Sequence, residues 1–186
     1  IVMGLQTIVS RNVTLTENPA VVTVGAIHGG IRNNIIPENL EMIGTIRTLG
    51  KEQRTMVHRR IEEISTNIAE SAGAAAEVTI DHGYPVTYND PVLTDKMVAT
   101  LEGAAGKENV RIVPATMGAE DFSYYQEKVP GLFFFLGGMP KDKKPSEAAP
   151  HHTPDFYIDE SGFGLGVKAL SSLVVDYMEM NSPKKK

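Results

Sequence analysis

The order of apolar periods along this chain predicts a mixed α/β protein in two parts, a ferredoxin-like α+β sandwich followed by a parallel-rich α/β layer. Three observations predict it. The first part reads helix, strand, strand, helix, strand, the order of a ferredoxin-like sandwich short of its first strand. The turn-rich stretch "GYPVTYNDP" at 83–91 then interrupts the pattern and sets a domain boundary. Beyond it, helical periods alternate with short apolar runs, an arrangement that favours ligands near the strand ends.

Each element follows from its own residues. "IVMGLQTIVS" at the start carries Ile1, Leu5, Ile8 and Val9 on one side and begins mid-pattern, with no cap or targeting signal before it. The chain is therefore expected to be the C-terminal part of a longer protein. "NPAVVTVGAIHGG" and "LEMIGTIRT" are strands, with Pro37, Glu38 and Asn39 in the turn of a hairpin. "KEQRTMVHRRIEEISTNIAESAG" spaces Val57, Ile61, Ile64 and Ile68 as a helix face, and Gly73 stops it. "AEVTIDHGY" at 76–84 reads as a third strand. Asn89, Asp90 and Pro91 start the helix "VLTDKMVATLEGAAG". "NVRIVP" is a short strand, "AEDFSYYQEKV" a helix, "GLFFFLGG" a buried central strand and "SGFGLGVKALSSLVVDYMEM" a closing helix. Residues 137–159 are left as a long loop, a length that inside a compact domain often carries function.

Composition narrows the function. With 186 residues, 41% of them hydrophobic, the chain is long enough to bury a core. A formal charge of -5 gives no basic field for a nucleic acid, and the "KKK" tail is a short local run. The chain has no cysteine, which excludes disulfides and thiolate metal sites. No apolar run approaches the roughly 20 residues of a membrane span.

Three stretches can carry chemistry, and each has a plainer reading. In "HHTPDF", Pro154 is expected to hold the backbone at His152 extended, with Phe156 pinning the loop to the core, which suits a preorganised ligand. A solvated loop with two adjacent histidines is the commoner alternative. Neighbouring side chains of an extended segment point apart, so His151 and His152 do not share an ion. In "MGAEDF", Glu120 and Asp121 fit the start of a helix as simple capping charges. Alternatively, Gly118 admits a substrate anion while Glu120 stands in the outer shell of a metal. In the hairpin, Asn34 and Arg47 are polar residues of its ends, or an amide and a guanidinium on neighbouring strands recognising a carbonyl and a carboxylate. His58 and His82 read as surface residues.

In combination, "GAIHGGIRNNIIPENLEMIGTIRT", "GYPVTYNDP", "MGAEDFSYY", "PGLFFFLGG" and "HHTPDFYIDE" resemble the amidohydrolase branch of the dimetal aminoacylase and carboxypeptidase superfamily, over nearly the whole chain. That branch includes hippurate hydrolases, N-acyl-amino-acid amidohydrolases and indoleacetyl-amino-acid hydrolases. The resemblance implies a lid and dimerisation domain at 1–88, the C-terminal portion of an α/β metallopeptidase-like catalytic domain at 89–181, and a tail at 182–186. It assigns the last metal ligand, in a His-x-Pro-x-Phe motif, to His152, and substrate binding to Asn34, Arg47, Gly118 and Glu120.

The resemblance further implies two divalent ions in the intact enzyme (zinc, manganese, nickel or cobalt), a small N-acyl amino acid or peptide as substrate, and a homodimer joined through the lid. No nucleic-acid or membrane partner is expected, and a cytoplasmic location is favoured, with any signal peptide lying upstream. The family's remaining metal ligands, general-base glutamate and transition-state histidine match nothing here, so this fragment holds no catalytic residue and is expected to be inactive alone. Two other readings stand beside it: a non-catalytic homologue that binds amino-acid derivatives, and a structural dimerisation module that leaves His152 unexplained.

Overall fold

The computed structural model describes residues 1–14, 16 and 18–182. The lysines of the tail lie outside them. The chain divides into two compact units, Ile1–Thr87 with Ala115–Tyr124, and Tyr88–Pro114 with the residues from Tyr125 onward. Residues 115–124, expected in the second part, thus pack with the first.

In the first unit, α1 (Val2–Thr7) runs into a π-helical turn at Ile8–Asn12, and β1 (Ala20–Gly29) pairs antiparallel with β2 (Leu40–Thr48). The loop between the strands is longer than the expected turn and covers residues 30–39. The pairing slips between Val24 and Ala26, leaving Gly25 as a bulge, while a Cβ at Gly44 would overlap the carbonyl oxygen of Thr23. Helix α2 (Lys51–Ser71) lays Val57 and Ile61 on a core completed by Leu5, Ile8, Val13, Ala20 and Val22. Ile8 and Val57 are completely buried, and burial of such side chains stabilises by about 1.5–3 kcal/mol each. The helix ends in a Schellman turn, where Gly73 at φ +73° lets Ala74 N–H reach the carbonyl of Ala69 at 2.9 Å.

The second unit is built on α3 (Pro91–Ala105) and α5 (Phe163–Asn181), which pack together through Met97, Leu101 and Ala169. Asp90 caps α3 by accepting from Leu93 N–H at 2.8 Å, and Pro91 occupies the first turn, where its missing N–H costs nothing. Between the two helices, the Thr100 hydroxyl donates to the Asp176 carboxylate at 2.5 Å. A short helix, α4 (Phe122–Gln126), replaces the longer one expected at 119–129.

The segments 76–84, 109–114 and 131–138, expected as strands, form no ladder among the described residues. An apolar run becomes a strand only where another strand offers its hydrogen bonds, and β1 and β2 pair only with each other. Val78 still packs against the first unit's core, but Ile112 is 100% exposed and Phe135 62%. At Phe133 a side chain takes the place of the missing strand. The Asn89 amide accepts from Phe133 N–H at 2.7 Å and donates to Phe133 C=O at 2.8 Å, satisfying the backbone as a neighbouring strand would.

Candidate functional site

Arg47 stands near the end of β2, opposite Val21, on the sheet face turned away from the core. Its guanidinium donates to the carbonyl of Met117 at 2.5 Å. That bond brings β2 to the segment carrying two of the other expected residues. Gly118 is next in sequence, and the space above it faces the Glu120 carboxylate, 3.9 Å from where a Cβ would stand.

Glu120 is held by its backbone. Its carbonyl accepts from the buried Ser123, from the hydroxyl at 2.6 Å and from the N–H at 3.2 Å, which leaves the half-buried carboxylate of Glu120 uninvolved in this turn. The segment is tied again at its far end, where the Tyr124 hydroxyl donates to the carbonyl of Gly83 at 3.0 Å and its ring packs edge-on to Tyr84 at 5.7 Å. Sequence reasoning missed Tyr124 and Tyr84. Tyr84 had one signal, an aromatic ring in the turn-rich stretch 83–91, and Tyr124, inside the expected helix, had none.

Asn34 is not on a strand as expected. It lies in the exposed loop beyond the Gly29–Leu40 end of the hairpin, whereas Arg47 is seven positions along β2 from Leu40. At a strand's rise that separation is roughly 23 Å. Arg47, Gly118 and Glu120 are therefore assembled on one copy of the first unit, and Asn34 stands at the other end of its hairpin.

His152 belongs to the second unit. It is exposed, and its φ of +63° makes it the described non-glycine residue in the left-handed region. The expected extended backbone is thus replaced by a turn. The steric restriction of Pro154 falls on Thr153, directly before it, and leaves His152 free to turn. Histidine tolerates this region better than most residues, though such conformations collect at functional positions. The turn is fastened by the Thr153 hydroxyl on the carbonyl of Pro150 at 2.7 Å and by Phe156 N–H on the carbonyl of Thr153 at 3.1 Å. Phe156 does not pin the loop to the core. It remains 44% exposed and packs edge-on to His151 at 4.7 Å, and His151 in turn meets the His152 ring edge-on at 6.5 Å. The loop's base is closed by Asp159 N–H on the carbonyl of Gly138 at 2.7 Å. At the same place the Asp159 carboxyl is held below its ordinary range by hydrogen bonds from Ser161.

Among the described residues no group of three or more His, Asp or Glu side chains is arranged to hold a metal ion. The second unit also has a groove of about 310 Å³ between α3 and α5, in which Thr100 is engaged by Asp176 and Lys168 by the carbonyl of Ala104 at 3.0 Å.

The model of peptidase family M20/M25/M40 matches residues 6–176. The chain belongs to this family. It is 40% identical to the N-acetyldiaminopimelate deacetylase of Streptococcus suis over 182 residues, which is 97% of this chain and 45% of that protein. With the thermostable carboxypeptidase 2 of Saccharolobus solfataricus it shares 34% identity over 86% of this chain and 39% of that one. Among solved structures, the YXEP protein of Bacillus subtilis, described as a dinuclear metal binding peptidase from the M20 family, superposes with a TM-score of 0.70 at 29% identity, over 96% of this chain and 44% of that chain. The M20 chain spans less than half the length of these relatives, and the mixed helix and strand fold predicted from sequence is the one it shares with the solved M20 structure.

Proposed function

We propose that this chain is the lid and the C-terminal catalytic portion of a metal-dependent amidohydrolase that cleaves the amide bond of N-acyl amino acids or small peptides. The observation that carries the reading is the meeting of Arg47 with the Met117–Glu120 segment, in a chain whose relatives are named as deacetylases and carboxypeptidases. Such substrates present a carboxylate beside the scissile amide. A guanidinium is suited to that carboxylate because it offers five donors in a planar fork, and one bond to a carbonyl leaves most of them for a ligand. Gly118 gives the substrate backbone close access, and Glu120 faces the same space. Asn34, at the hairpin's other end, stands too far from Arg47 on the same copy to share one small substrate with it.

Two divalent ions in the intact enzyme would polarise the amide carbonyl and activate water. One exposed imidazole does not make a metal site, so the residues of this chain are assigned binding and orientation, with His152 contributing a single ligand. Val21 and Ile43, exposed apolar residues on the same outer face of the hairpin, support a homodimer through the first unit. The experiment is an assay of intact enzyme, metal-loaded and chelator-treated, on a panel of N-acyl amino acids and dipeptides. Metal-dependent release of a free amino acid is expected. Absence of release across the panel, with metal bound, would favour the non-catalytic reading.

A further inference from the structure

We propose that the contact of His58 with His82 is a proton-sensitive latch, which holds residues 82–84 against α2 and, through Tyr124, steadies the segment bearing Gly118 and Glu120. The two imidazoles meet edge to face with centroids 5.0 Å apart. One turn earlier on α2, Arg54 donates to the carbonyl of Tyr84 at 3.2 Å. From the other side, Tyr124 takes hold of the same three residues through the carbonyl of Gly83 and the ring of Tyr84. Residues 82–84 are therefore clasped between α2 and the segment that Arg47 grips at Met117. His58, read from sequence as a surface residue, is half-buried.

The charges around the pair make the clasp depend on protons. Arg54 and Glu62 lie near His58 on its own helix, and His82 faces it from the segment. Asp81, beside His82, is engaged by the N–H of Gly83 at 3.0 Å. With the His58 ring neutral the cluster holds one cation, Arg54, and two anions, Glu62 and Asp81. Protonation of His58 adds a second cation beside Arg54 and against the His82 ring, in a half-buried place where like charges repel strongly. Burial first, then His82 and Arg54, lower the proton affinity of His58, and the opposing pull of Glu62 is the weakest influence. A folded pKa below the unfolded one contributes stability that is fully present above about 6.5 and lost as pH falls through the lowered folded value. The latch is closed at neutral pH and opens in acid.

Amide hydrogen exchange on the full chain, corrected for the intrinsic effect of pH, tests this between about pH 8 and about pH 5. The expected result is a loss of protection confined to residues 81–84 and 115–124, with α2 and the β1–β2 hairpin unchanged. His82→Phe keeps a ring at the contact but cannot charge, and should retain protection at the acid end. His58→Gln gives a second variant if the first does not fold. Unchanged protection in the unaltered chain, the same acid loss in the variants, or a loss spread equally over α2 and the hairpin would each overturn the latch. Its bearing on a substrate pocket rests on the amidohydrolase reading, but exchange does not involve hydrolysis, so either can fail without the other.

Discussion

Arg47 holds Met117 by its carbonyl across 70 positions of sequence, and this bond joins the β1–β2 hairpin to the Gly118–Glu120 turn. The guanidinium is exposed, so the bond fixes position far more than it stabilises the fold.

Arg47→Ala should accordingly lower thermal stability very little, by about 1 kcal/mol or less. Protection of residues 115–124 against hydrogen exchange should fall, and in the intact enzyme KM should rise more than kcat falls. A charged hydrogen bond to a substrate carboxylate is worth about 1.5–3 kcal/mol, so the rise is expected to be tenfold or more. Equal losses of stability and of binding would make Arg47 a structural residue.

The second unit depends on its cap. Asp90→Ala removes the acceptor of Leu93 N–H and should cost about 0.5–2 kcal/mol, whereas Asp90→Asn or Asp90→Ser should recover most of it. Urea denaturation of the three variants checks the order. A negligible effect of Asp90→Ala would mean that Pro91 and the backbone bond from Asp90 N–H to the carbonyl of Gly131 already fix the start of α3.

At the hairpin, Gly44→Ala should destabilise by about 1–3 kcal/mol, since the added methyl meets the Thr23 carbonyl, a backbone atom that cannot swing aside. Gly103→Ala, on α3 with open space above it, is the control and should be neutral or stabilising by about 0.5–1 kcal/mol. Midpoints of thermal unfolding for the two variants are expected to move in opposite directions.

What was legible in the sequence was whatever one segment decides for itself. The period of Val57, Ile61, Ile64 and Ile68, the stop at Gly73 and the Asp90–Pro91 start needed no partner, and the helices stand where these signals put them. The strands were legible only where both members of a pair lie close in sequence, as in β1 and β2. The run 131–138 has the composition of a strand, but the backbone of Phe133 at its middle bonds to the side chain of Asn89, and composition does not encode that. The site followed the same division. Arg47, Gly118 and Glu120 were singled out by the resemblance, their own residue types leaving capping and hairpin-end readings open, while the atom that brings them together, a main-chain oxygen of Met117, carries no signature in its side chain. His152 was read as extended because the proline restriction, which falls on Thr153, was applied one residue too early in the chain.

That left-handed turn makes His152 the sharpest test of whether stability has been given up for function. A non-glycine residue there costs roughly 1–2 kcal/mol, and glycine loses roughly 0.5–1 kcal/mol of that advantage through its freer unfolded chain. His152→Gly should therefore stabilise this chain by about 0.5–1 kcal/mol, and His152→Val should destabilise it. In the intact enzyme the same His152→Gly change should lower bound metal and remove most activity, while His151→Ala should do much less to metal content. Its ring instead packs on Phe156, so a modest loss of loop order is its expected effect. Calorimetric titration of this chain with zinc should find only weak binding that the two variants alter little, because no group of three ligands is assembled among the described residues. Tight stoichiometric binding by the chain alone, abolished by His152→Gly, would instead demand a complete site within it and would sink the assignment of His152 as one ligand of a larger set.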